Sequence, residues 1–156
     1  MDHLRSARAT GVTLSQKRLD TYRSGLRRIF GRPLVPKDAT PEARVRRAEK
    51  RLGFALPSAL RDYLRLAGEA KENREHNRLL SPEALVVEDG YLVFMEENQS
   101  VVDWGIPLAL ARQADPVVWQ CVNGDAPKWY SEKMRFSEFI LKNLAWQRGV
   151  EGFARE

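Results

Sequence analysis

The chain has 156 residues at 17.9 kDa, 43% of them hydrophobic and 30% charged. A single chain of this size buries roughly two-thirds of its unfolded surface and needs no disulfide or structural metal to be stable. One cysteine, Cys121, and two histidines, His3 and His76, exclude an internal disulfide and an autonomous Cys/His zinc site. The net charge of +5 is unevenly spread: residues 1–55 hold 14 Lys and Arg against 5 Asp and Glu, whereas residues 56–156 hold 12 against 16.

The longest uncharged stretches, residues 52–60 and 116–124, are nine residues each, far short of the ~18 apolar residues of a membrane span. No membrane partner is expected. The N-terminus shows no apolar segment of a signal peptide, so the expected location is cytoplasmic.

Residues 1–13 have no periodicity and read as a loose basic tail. From Ser15 onward Leu19, Tyr22, Leu26, Ile29 and Phe30 recur at spacings of three and four, which predicts an amphipathic helix stopped by Gly31 and Pro33. Residues 31–40 carry two prolines, Pro33 and Pro36, and predict an extended linker. Thr40 reads as an N-cap and Pro41 as the first helical residue of a helix with the stripe Val45, Ala48, Leu52, ended by Gly53. Pro57 and Ser58 start another, with Leu60, Tyr63, Leu64 and Ala67 on one face.

Residues 69–78 are almost all polar and predict an exposed loop or a frayed helix end. After Pro82 the period shifts toward two. Residues 85–88, the turn Asp89-Gly90 and residues 91–97 predict a hairpin; further strands follow at 101–106, 117–122 and 128–131. Phe136, Phe139, Ile140, Asn143 and Leu144 predict a last helix, capped by Ser137. Helices, then antiparallel strands, then a helix predict an α+β fold, with one antiparallel-rich sheet of about four to six strands and helices packed on one face. The organisation expected is a basic N-terminal helix and linker, residues 1–39, followed by an α+β domain, residues 40–156.

The sequence contains no P-loop, no glycine-rich dinucleotide fingerprint, no nucleophile elbow and no zinc-protease motif. Cys121 lies in an apolar strand, where a small buried thiol is commoner than a nucleophile. Glu88-Asp89 and Glu96-Glu97 each flank a turn with their members on opposite strand faces, unlike a carboxylate dyad facing one substrate. The expectation is a protein with no catalytic residues, no metal and no cofactor. Tyr91 and Trp119 are expected in the sheet core, and Trp104, Trp129 and Tyr130 near strand ends, as edge cover or binding anchors.

The order and spacing of four motifs, Leu52-Gly53 with Leu56-Pro57, Trp104-Gly105-Ile106, Asp115-Pro116-Val117 and Phe136-Ser137-Glu138-Phe139, preceded by a helix containing Glu49, resemble the SUKH superfamily of small α+β domains over about residues 40–147. Bacterial members resemble immunity proteins that bind and neutralise polymorphic or contact-dependent toxins, often nucleases, in the producing cell. The resemblance implies a stoichiometric complex with a cognate protein toxin. The acidic and aromatic set at turns and strand ends supplies its candidate contacts: Glu88, Asp89, Glu96, Glu97, Gln99, Asp103, Trp104, Asp125 and Trp129. The chain departs from the usual acidic balance of nuclease inhibitors, and its first helix lies outside the matched core. That helix, with its Leu19, Tyr22, Leu26, Ile29 stripe, is an expected partner-binding or dimerising element, or else packs on its own domain; monomer and homodimer both stay open. The alternative is a regulatory nucleic-acid or scaffold-binding module using the basic N-terminal third, through Arg44, Arg46, Arg47, Lys50 and Arg51 together with the N-terminal arginines.

Overall fold

The computed structural model describes residues 13–153. Residues 1–12, which include His3 and nearly all of the expected basic tail, lie outside that range, as do residues 154–156. Helix α1 spans Leu14–Phe30; Thr13 caps it by accepting the Gln16 N–H, and Gly31 ends it at φ 71°. The predicted stripe faces inward. Tyr22, Leu26, Ile29 and Phe30 are buried in the same hydrophobic core as the rest of the chain, and the Tyr22 hydroxyl donates to Ala59 O at 2.8 Å. Of the two readings of this apolar face, partner or dimer contact and packing on its own domain, the second is the one observed.

Helices α2 (Glu42–Leu52) and α3 (Ser58–Ala67) meet at the expected corner. Glu49 holds it, accepting the Leu56 N–H at 2.7 Å and pairing with Arg61 at 3.3 Å. The start of α2 differs from expectation: Pro41 takes the N-cap position. Thr40 instead turns away, its N–H donating to Leu64 O and its hydroxyl to Glu69.

Two segments predicted as solvated linkers are anchored. In residues 31–40 a 3-10 turn, Pro36–Asp38, is fastened by Arg32, whose guanidinium forks to both Asp38 oxygens and both Glu72 oxygens at 2.9–3.0 Å. Asp38 and Glu72 are only 4% and 3% exposed. Residues 69–78 likewise bury Asn73 and Asn77; Asn73 donates to Ala67 O and accepts from the Tyr63 hydroxyl at 2.6 Å. Polarity misled the reading here because every one of these groups has found a partner inside the fold.

The sheet comprises β1 (Arg78–Leu79), β2 (Val86–Glu88), β3 (Tyr91–Glu96), β4 (Val102–Pro107), β5 (Val117–Val122) and β6 (Lys128–Arg135). All pairings are antiparallel, in the order β1-β3-β4-β5-β6, with β2 beside β1 on the outer edge of β3. The Asp89-Gly90 turn has φ 53° and 79°, the two positive values a two-residue hairpin of this type requires. Strand β6 extends four residues beyond the expected Ser131. Lys133 there, at φ 57°, accompanies a register shift against β5, which interrupts the apolar alternation and hid the extension.

Helix α4 (Phe136–Gln147) follows β6 directly. Its expected cap, Ser137, is instead capped: Asp115 accepts the Ser137 N–H at 2.9 Å and its hydroxyl at 2.5 Å, placing a carboxylate at the positive end of the helix. Phe136 and Phe139 pack edge-on against Phe94, so the helical layer covers one face of the sheet. The fold is α+β as expected.

Candidate functional site

Strand alternation decides which aromatic residues face the helices and which face outward. On the helix-covered face Trp104 is 7% exposed, lies against Phe139 and donates its indole N–H to Glu132 at 2.9 Å. It is a core residue, and this corrects its reading as a strand-end partner contact. Tyr91 and Trp119, expected in the core, lie half-buried on the opposite, helix-free face.

That face is organised around Trp129. Its indole reaches diagonally from β6 across β5 and β4 and stacks on Tyr91 with ring centroids 3.7 Å apart and planes 5° from parallel. Trp119 closes the third side, 6.2 Å from Tyr91. Gly105 makes room beneath: a Cβ at that position would stand 3.3 Å from two atoms of the Trp129 ring and 3.0 Å from Leu92 O. A glycine inside a strand marks such a close approach.

Carboxylates surround the aromatic patch. Glu96 pairs in register with Asp103, which pairs with Cys121, which pairs with Trp129, so all four share the open face. Glu88 stands opposite Tyr91 at the β2–β3 turn, and Asp89 lies in that turn. Asp103 accepts from Asn123 at 3.1 Å, and Glu96 pairs with Arg78 at 2.8 Å. The thiol of Cys121, beneath the patch, senses this field: burial pushes its pKa up, and the charges of Asp103, Asp89 and Glu88 push it further the same way. The Trp129 indole nitrogen is buried and has no hydrogen-bond partner among the described residues.

The remaining candidates fall elsewhere. Glu97, Gln99 and Asp125 sit at the end of the sheet where the β3–β4 and β5–β6 turns meet, joined by Asn123 donating to Ser100 O. The structure thus gathers Glu88, Asp89, Glu96, Asp103 and Trp129 about one surface, with Tyr91 and Trp119, which sequence reasoning had assigned to the core. Trp119 stands opposite Gly105 and Tyr91 opposite Pro107, two positions on along the same face, and the missing side chain of Gly105 was the available signal.

Of the basic set on α2, Arg44 is bonded to Glu83 and Glu69, Arg46 to Glu42, and Arg51 to the carbonyls of Pro82 and Leu85. Arg47 and Lys50 are exposed. Among the described residues there is no group of three or more His, Cys, Asp or Glu placed to hold a metal ion, and no helix is long and apolar enough to cross a membrane. Compared with protein-family models, with curated proteins and with solved structures, the chain finds no match.

Proposed function

We propose that this chain is a non-catalytic immunity protein of the cytoplasm that neutralises a cognate bacterial toxin by stoichiometric binding, with the toxin seated on the helix-free face of the sheet. The single observation that carries the surface assignment is the Tyr91–Trp129–Trp119 patch bordered by Glu88, Asp89, Glu96 and Asp103. Tyrosine and tryptophan at the centre of a patch, with charges at its border, are the composition of an interface whose energy is concentrated in a few anchors. The carboxylates would speed encounter with a basic partner surface, such as the nucleic-acid-binding face of a nuclease.

The choice of a toxin as partner rests on the resemblance of the four motifs. Glu49 of the preceding helix and residues of the motifs hold junctions of the fold: Glu49 at the α2–α3 corner, Gly105 under Trp129, Asp115 at the head of α4. The nucleic-acid alternative has less support on α2, where three of its five basic side chains already serve internal partners.

The test is to express the neighbouring reading frame with and without this protein. A toxic neighbour that is bound and suppressed by the wild-type chain, but not by a folded Trp129→Ala variant, carries the reading. Rescue that survives Trp129→Ala and Asp103→Lys alike would move the interface off this face. A harmless neighbour with no complex would remove the toxin role.

A further inference from the structure

We infer that a second surface, on the opposite side of the molecule from the aromatic patch, is a docking groove for an acidic peptide segment with an apolar anchor. It lies between α1, the 31–40 segment and α3, and encloses about 500 Å³, the room a few side chains need. Leu34, Val35 and Leu66 are among its apolar lining, and Arg23, Arg27 and Arg65 form its charged rim; no carboxylate lines it.

The arginines of this protein divide into two kinds. Arg32 and Arg44 are each committed to two carboxylates at hydrogen-bond distance. The groove arginines are not. Arg23 reaches Asp20 at 3.5 Å and Arg65 reaches Glu42 at 3.9 Å, both between exposed side chains, where such pairs contribute little. Arg27 has neither an ion pair nor a side-chain hydrogen bond among the described residues. Three guanidinium groups around one apolar depression are thus open to carboxylates, with which they can form bidentate bonds.

The floor is also held in place before any partner arrives. The Arg32 fork to Asp38 and Glu72 fastens the segment that carries Leu34 and Val35, and Asp38 accepts the Val35 N–H at 2.8 Å. A fixed apolar floor under an arginine rim favours a peptide presenting an apolar side chain between carboxylates. Nucleic acid fits less well, because the lining contains no aromatic ring on which a base could stack.

The experiment is a titration of isotope-labelled full-length protein, followed by amide shifts, with a peptide of repeating Glu-Leu-Leu-Asp sequence. Comparison probes are polyglutamate, a Lys-Leu-Leu-Lys peptide, duplex DNA and phosphatidylglycerol vesicles. Saturable shifts centred on Leu34, Val35 and Leu66 are expected. Affinity should fall roughly tenfold, the loss of one charge-assisted bond, in each of Arg27→Ser and Arg65→Ser, and should fall in Val35→Asn through loss of the apolar contact. These positions are on the surface, so unchanged melting of the variants separates binding from folding. Equal binding of polyglutamate or DNA, binding of vesicles alone, shifts centred on the sheet face, or no saturation would each overturn the inference. The groove does not depend on the sheet-face reading, and either can fail while the other stands.

Discussion

The two faces of the sheet use the same residue type for different ends. Trp104 and Trp129 occupy neighbouring columns of one antiparallel ladder, yet Trp104 is sealed under α4 with its indole N–H bonded to Glu132, while Trp129 lies over Gly105 with its indole N–H unpaired. On the helix side the buried carboxylates and amide find partners within the fold, as in the Arg32–Asp38–Glu72 network and the Tyr63–Asn73 bond. On the open side the carboxylates are less firmly committed and the aromatic surface is half exposed. The half-exposed aromatic surface and its bordering carboxylates are what the open face offers to a partner.

This contrast can be broken most directly by truncating each tryptophan. Trp104→Ala should cost about 3–5 kcal/mol in urea unfolding, the range for removing a buried aromatic, whereas Trp129→Ala should cost distinctly less and act mainly on partner binding. Equal losses would make Trp129 a core residue in all but position.

Replacing Arg32 by Leu comes next, at about 2–3 kcal/mol. It strands two buried carboxylates, and the figure is below that for a fully buried pair because the arginine is partly exposed. The same network sets the acid limit. Hydrogen bonding from Arg32 holds Asp38 below the usual carboxylate range; burial alone would raise Glu72, but Arg32 outweighs it and that group too is lowered. Folded pKa values below the unfolded ones mean that this stabilisation is complete above the unfolded carboxylate range and is lost as pH falls through the lowered folded values. Stability measured from neutral pH downward should therefore fall in acid, and the fall should be shallower in Arg32→Leu. An acid limb identical in the variant would assign the loss to other groups.

Gly105→Ala tests the open face itself. The added methyl must displace the Trp129 ring or the Leu92 carbonyl, at about 1–3 kcal/mol, with a change in tryptophan fluorescence as the Tyr91 stack opens. The smallest effect concerns Cys121. Its raised thiol pKa predicts reaction with a disulfide reagent at neutral pH more slowly than a free thiol, and a modest acceleration in Asp103→Asn. A fast wild-type reaction would mean that the face opens in solution.

Much of the architecture was legible because local rules act on nearby residues. The helical stripes of α1 and α3, the Asp89-Gly90 hairpin and strand β5 lie where spacing and turn chemistry put them. The candidate site was legible only in part. Glu88, Asp89, Glu96, Asp103 and Trp129 were named together, but Trp104 was placed outside and Tyr91 and Trp119 inside. Period-two patterning says that neighbours alternate; it does not say which set meets the helices. The register shift between Val93 and Met95 further brings Phe94 and Met95 both into the core, which no strict alternation predicts.

The sequence by itself determined the α+β class, the order of its elements and the imbalance between a basic start and an acidic remainder, since these depend on composition and on contacts a few residues apart. Tertiary structure alone decided what the charged and aromatic side chains do. Arg32 meets Glu72 forty positions away, Asp115 caps a helix that begins twenty-one positions later, and Trp129 crosses two strands to reach Tyr91. Whether a polar group is solvated or satisfied, and whether a ring is core or surface, depends on partners brought close only by the fold.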